Sequence, residues 1–150
     1  MVISPFEIGR LPAIVFGAGA SSRISDLVAR HGRRVLVVRG ARSLLASKTW
    51  ARVADGFDRL GVEREEMVVV EEPSPDLVDR AVARCRPLGV EVVLGVGGGS
   101  VLDAAKAVAG LLPSGRSVMD HLEGKGRGIP YAGPALPFIA VPTTAGTGTE

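Results

Sequence analysis

The stretch Val90-Glu91-Val92-Val93-Leu94-Gly95-Val96-Gly97-Gly98-Gly99-Ser100-Val101-Leu102-Asp103-Ala104-Ala105-Lys106 decides how the chain is read. Val92, Val93 and Leu94 form a short apolar run, which reads as a buried strand when turn residues bound it. Gly97, Gly98 and Gly99 follow, a backbone free to take positive φ and to approach a ligand closely. Ser100 is a candidate helix N-cap, with Asp103 at capping-box spacing. Val101, Ala105, Val108, Ala109 and Leu112 then make one helical stripe that Pro113 ends. Strand, glycine turn and helix N-terminus aim free N–H groups at one point, which suits a phosphate. A tight turn with no ligand is the plainer alternative; each glycine costs entropy that a mere turn does not need. The pattern is neither G-x-G-x-x-G nor a P-loop.

Upstream, strands and helices alternate. Pro12 to Phe16 reads as a first strand, followed by a helix capped by Ser21 or Ser22 and carrying Ile24, Leu27, Val28 and His31 on one face. Val35 to Val38 reads as a second strand ending in Arg39-Gly40, and a helix is expected over about Ser43 to Leu60. Met67 to Val70 is a third strand. After Pro73-Ser74-Pro75, Asp76 is the expected cap of a helix bearing Leu77, Val78, Ala81, Val82 and Cys85. Downstream, a Pro- and Gly-rich stretch from 113 to 137 precedes a strand at Phe138 to Val141. The whole predicts an α/β fold with a parallel sheet.

Composition agrees. Hydrophobic residues are 46% of 150 and aromatics 4%, so the core must be Val, Leu, Ala and Ile, as in a sheet covered by helices. One domain is expected at this length. No apolar stretch reaches the length of a membrane span and no signal peptide opens the chain. Cys85 is the single cysteine, expected in the core, and a reducing cytoplasm fits. Net charge is +2, but between Asp26 and Asp55 there is no acid, while Arg30, Arg33, Arg34, Arg39, Arg42, Lys48 and Arg52 all occur. That run favours an anionic partner or is a solvated face. No aromatic stacking set or binding motif accompanies it, so no nucleic acid is expected.

The chain closes on Pro142-Thr143-Thr144-Ala145-Gly146-Thr147-Gly148-Thr149-Glu150. Hydroxyls and glycines at the end of a strand lie where open α/β sheets bind ligands, although threonine-rich turns also occur without one. This stretch and residues 95 to 106, taken together, resemble the cofactor-domain signatures of the iron-containing (group III) alcohol dehydrogenases. Pro73-Ser74-Pro75 resembles that family's Pro-Asn-Pro loop near the nucleotide.

The resemblance implies a Rossmann-like, doubly wound, mostly parallel sheet, the dehydroquinate-synthase-like N-terminal domain, spanning 1–150 and binding NAD or NADP. Its implied cofactor residues are Gly40, Ser74, Gly97, Gly98, Gly99, Ser100, Asp103, Thr143, Thr144 and Thr147. A helical C-terminal domain, expected to be absent from this chain, would bind a divalent metal, iron above all, through one Asp and three His. The intact protein would be a homodimer acting on a small alcohol or aldehyde, and the 150-residue chain alone would be inactive. His31 and His121 are the only histidines and cannot make that ligand set. His121 stands where the family has an aromatic residue and reads as loop packing; Thr149 stands where serine is usual.

Other enzymes on the same scaffold, a maleylacetate reductase or a glycerol dehydrogenase, are rival readings. A non-catalytic nucleotide-binding module is a rival of another class. The family often carries an Asp at the position of Gly40. Its absence here, with Arg39 and Arg42 alongside, leads us to expect NADP(H) over NAD(H), because a carboxylate there would repel a 2′-phosphate.

Overall fold

A computed structural model describes residues 12–41, 47–145 and 148. Helix α1 (Ile24–Ala29) leads to strand β1 (Arg34–Gly40), then α2 (Lys48–Leu60), β2 (Glu63–Val69), α3 (Pro75–Cys85), β3 (Val92–Gly97), α4 (Gly99–Leu111), the short α5 (Val118–His121) and β4 (Phe138–Pro142). Among the described residues four strands form one sheet in the order β2-β1-β3-β4, and every neighbouring pair is parallel.

The sequence explains the layers. Val35 and Val37 alternate with Leu36 and Val38, so β1 buries side chains on both faces. On one face Val35, Val37, Val92, Leu94 and Val96 pack with Ile24, Val28, Trp50, Val53 and Phe57 from α1 and α2. On the other, Leu36, Val38, Met67, Val69 and Val93 pack with α3 and with the α4 stripe of Val101, Ala105, Val108, Ala109 and Leu112. Cys85 lies in this second layer and is fully buried; burial pushes its thiol pKa up, which keeps it an inert core residue.

Five local expectations are corrected. Residues 12–16 lie outside the sheet, with Ile14 80% and Phe16 98% exposed: apolar composition signals a strand, but a ladder also needs a neighbour to pair with. Neither Ser21 nor Ser22 caps the first helix. A 3-10 turn over Ala20–Arg23 starts from Gly19 in the left-handed region, φ 78°, with no side-chain cap; His31 is an exposed residue just past the helix end. Helix α2 begins at Lys48 because Ser47 is extended and its hydroxyl accepts from the Trp50 N–H at 3.1 Å; Ser43 to Ala46 lie outside the described residues. Strand β2 starts at Glu63 and stops before Val70, because its pairing with β1 continues through a polar run on the sheet edge, Arg34 against Glu63 to Val37 against Glu66. Ser74, not Asp76, caps α3: its Oγ accepts from the Leu77 N–H at 3.2 Å, and Pro75 opens the helix where no N–H is needed.

The long stretch after α4 is ordered by specific bonds. The Tyr131 hydroxyl donates to the Gly110 carbonyl at 3.1 Å and the Leu136 N–H to Ala109 at 2.9 Å, satisfying carbonyls that the helix end leaves open. Asp79 on α3 accepts from the Ser117 hydroxyl and the Val118 N–H, at 2.5 and 2.8 Å. His121 is loop packing, as expected: its Nδ1 lies 2.8 Å from the Ile129 carbonyl, and its ring meets Tyr131 edge-on. These ties fix the chain's path from α4 into β4, and so the place where the threonine stretch begins.

Candidate dinucleotide site

The strand order reverses between β1 and β3, since β2 lies to one side of β1 and β3 to the other. The carboxyl ends of β1 and β3 therefore flank a topological switch point, where doubly wound folds bind ligands. Arg39 pairs with Val96, which brings Gly40 and Gly97 side by side at that edge.

None of Gly97, Gly98 and Gly99 has a positive φ, so left-handed backbone is not what calls for glycine here. The reason is space. A Cβ on Gly97 would lie 2.7 Å from Cβ and Cγ2 of Val101, the buried residue with which α4 seats on the strand. A Cβ on Gly98 would lie 3.2 Å from Oγ1 and 3.5 Å from Cγ2 of Thr144. The Thr143 N–H donates to the Gly97 carbonyl at 2.9 Å. That bond continues the β3–β4 pairing by one residue and lays the threonine stretch against the glycine turn. Thr143 and Thr144 are exposed there; Thr147 lies outside the described residues.

Helix α4 starts at once, with Gly98 as N-cap and no side chain capping it. Its first N–H groups are thus not taken by a side-chain cap, and the helix dipole adds positive potential. The expectation that Ser100 caps the helix is overturned. Ser100 is the second helical residue, and its hydroxyl donates to Glu72 Oε2 at 2.8 Å. The capping box fails with it, because Asp103 falls in the second turn and is exposed. Asp103→Ala should accordingly leave stability within about 0.5 kcal/mol, as for an ordinary surface change. Loss of a true cap would cost about 0.5–2 kcal/mol, and a urea midpoint for the variant separates the two.

Ser74 sits at the same edge, beyond β2, with its hydroxyl engaged in the α3 cap. Among the described residues, nothing lies within 4 Å of a would-be Cβ on Gly40. Two arginines of the acid-free run are paired with acids from elsewhere in the chain. Arg34 pairs with Glu91 at 3.3 Å at the opposite, amino edge, and the N–H groups of Arg33 and Arg34 hold the Glu91 carboxyl below the usual range. Arg39 is buried and bound by Glu66, with Nη2 2.7 Å from Oε2, and Arg42 lies outside the described residues. Sequence reasoning missed Glu66 and Glu72. Glu72 was findable, because it directly precedes Pro73-Ser74-Pro75; Glu66 lay one residue outside the expected third strand.

Among the described residues no group of three or more His, Cys, Asp and Glu could hold a metal ion. This stretch of the protein therefore does not fit the metal on its own. The glycine turn does fit a phosphate-bearing ligand, by the Gly98 approach and the uncapped helix start.

Residues 12–150 match the family model described as iron-containing alcohol dehydrogenase. The chain is 32% identical over 138 residues to a probable NADH-dependent butanol dehydrogenase of Bacillus subtilis, covering 91% of this chain and 35% of that protein. Its fold is similar to NADH-dependent butanol dehydrogenase A of Thermotoga maritima, with a TM-score of 0.84, 33% identity, and coverage of 95% of this chain and 35% of that one. Sulfoacetaldehyde reductase of Bifidobacterium kashiwanohense, solved in complex with NAD+, matches at a TM-score of 0.72 and 28% identity, over 89% of this chain and 35% of that one. The chain thus spans about a third of the length of the proteins it matches.

Proposed function

The chain belongs to the iron-containing alcohol dehydrogenase family, and from that we propose that it is the nicotinamide dinucleotide-binding part of a metal-dependent alcohol dehydrogenase. The observation that carries the reading is the approach of Thr144 to Gly98 at the switch point, 3.2 Å from where a Cβ would stand. In this reading the backbone of Gly97, Gly98 and Gly99 and the Ser100 hydroxyl hold the pyrophosphate, Ser100 exchanging its Glu72 partner for a phosphate oxygen. Thr143, Thr144 and Thr147 line the nucleotide and its nicotinamide side. Ser74, Asp103 and Gly40 border it, Gly40 at the ribose. The bound dinucleotide supplies a hydride donor and acceptor. This chain's part is to bind and orient it.

Metal ligands belong, in this proposal, to residues beyond 150, with iron as the metal. The substrate is a small alcohol or aldehyde, the intact enzyme is a homodimer, and the setting is the cytoplasm. No helix among the described residues is long and apolar enough to cross a membrane. We favour NADP(H) over NAD(H), on the missing carboxylate at Gly40 and the open space beside it. A maleylacetate reductase or a glycerol dehydrogenase would share every feature of this half of the molecule.

Calorimetric titration of the 150-residue chain with NADH and NADPH tests the reading. Weak binding of both, tighter for NADPH, is the expected result, with no alcohol oxidation when metal and cofactor are supplied. Absence of binding by either dinucleotide would defeat the dinucleotide assignment, and turnover by the chain alone would defeat the placement of the metal.

A further inference from the structure

We infer that Glu66 is a positioning residue for cofactor choice: it holds the Arg39 guanidinium and offsets its charge, and so restrains binding of a dinucleotide that carries a 2′-phosphate. The inference rests on the dinucleotide reading of the glycine turn.

Arg39 is the penultimate residue of β1. The parallel register sets it beside Val68, and sets Glu66 beside Val37. Glu66 is therefore on the same face as Arg39 but two residues short of it along the strands, back from the carboxyl edge. The guanidinium follows. Its Nε donates to Glu66 Oε2 at 2.8 Å, Nη2 lies 2.7 Å from the same oxygen, and Nη1 donates to the Gly40 carbonyl at 3.1 Å. All three nitrogens are engaged, and the Arg39 side chain is only 9% exposed against 35% for Glu66.

A guanidinium this far out of water needs its carboxylate. Yet it lies next to Gly40, the open position at the strand end where a doubly wound fold reads the ribose 2′ substituent. A 2′-phosphate arriving there meets a cation whose three nitrogens are already engaged and whose charge is offset. A 2′-hydroxyl needs no cation and is indifferent to the pair. Glu66 thus sets how much of Arg39 the cofactor can use.

The test is calorimetry on the full 150-residue chain with NADH and NADPH at low and moderate salt. Glu66→Gln removes the charge and keeps an acceptor oxygen, so Arg39 retains a hydrogen bond. NADPH affinity should then rise about tenfold, NADH should stay within about twofold, and the gain should shrink with salt. Arg39→Met reads the same field with the opposite sign without burying a lone cation. The Glu66 carboxylate is then uncompensated, and the NADPH-to-NADH affinity ratio falls. The double variant should return the ratio to within about twofold of the parent, because it removes the two opposite charges of the pair together and leaves the net charge beside Gly40 as it was. A ratio unmoved in the folded single variants, or moved toward NADH by Glu66→Gln, overturns the inference alone. Binding of neither dinucleotide by the parent chain overturns the dinucleotide reading and this inference with it.

Discussion

Gly98→Val should abolish detectable dinucleotide binding while the domain stays folded. Gly98 has φ −81° and ψ −172°, extended backbone that a β-branched residue adopts without strain. The nearest atoms to a new Cβ belong to the exposed Thr144 side chain, at 3.2 and 3.5 Å. Thr144 can give by the few tenths of an ångström required, so the fold survives. Binding does not. The added isopropyl group fills the gap between the turn and the threonine stretch, and keeps a phosphate away from the N–H groups at the start of α4. A hydrogen bond to a charged group contributes about 1.5–3 kcal/mol, so losing two weakens binding by more than about a hundredfold. Calorimetry with NADH and NADPH, beside a melting curve, checks it. A folded variant with the parent's affinity would place the phosphates elsewhere.

That result would bear on a motif legible from the sequence, and its legibility has a physical cause. Strand β3 and helix α4 were readable because both faces of the one and the stripe of the other are apolar, and such patterns survive any detail of the join. The join itself was misread. Three glycines allow a single residue to separate the strand from the helix, so the N-cap falls on Gly98 and Ser100 arrives inside the first turn. Side-chain rules for caps assume that a side chain does the capping; here none does. The same logic exchanged Asp76 for Ser74, since Pro75 fixes where the helix starts and leaves only its predecessor in the cap position.

Charge was misread for a different reason. From Asp26 to Asp55 the chain has no acid, but linear distance is not the distance that matters in a parallel sheet. Strand β2 returns Glu63, Glu65 and Glu66 to the side of β1, and Arg39 finds its partner 27 residues away. A crossover connection hides such pairs from a reading along the chain. Short-range pattern therefore located the carboxyl edge, and long-range pairing decided which charges are available there.

Gly97→Val, one residue from the first substitution, should act on the fold instead of the ligand. A Cβ at Gly97 would stand 2.7 Å from Cβ and Cγ2 of Val101 and 2.9 Å from its Cγ1. These separations are shorter than side chains tolerate, and neither partner can yield. Gly97 is buried at the end of β3, between β1 and β4. Val101 is itself locked into the layer formed with α3. Overpacking a closed core costs typically ~1–3 kcal/mol, with larger values where the backbone must shift. Valine brings three carbons to a site without room for one, so about 3 kcal/mol or more is expected, a large share of a marginal stability of about 5–15 kcal/mol. The urea midpoint should fall accordingly. Val101→Ala in the same chain should recover part of the loss, since it removes the two Cγ atoms that crowd the new side chain; that recovery is a coupling between neighbours, which independent sites do not show. A Gly97→Val chain that unfolds at the parent's midpoint would mean that α4 is not seated on the strand through Val101, and with it would go the reason the helix N-terminus points at the switch point.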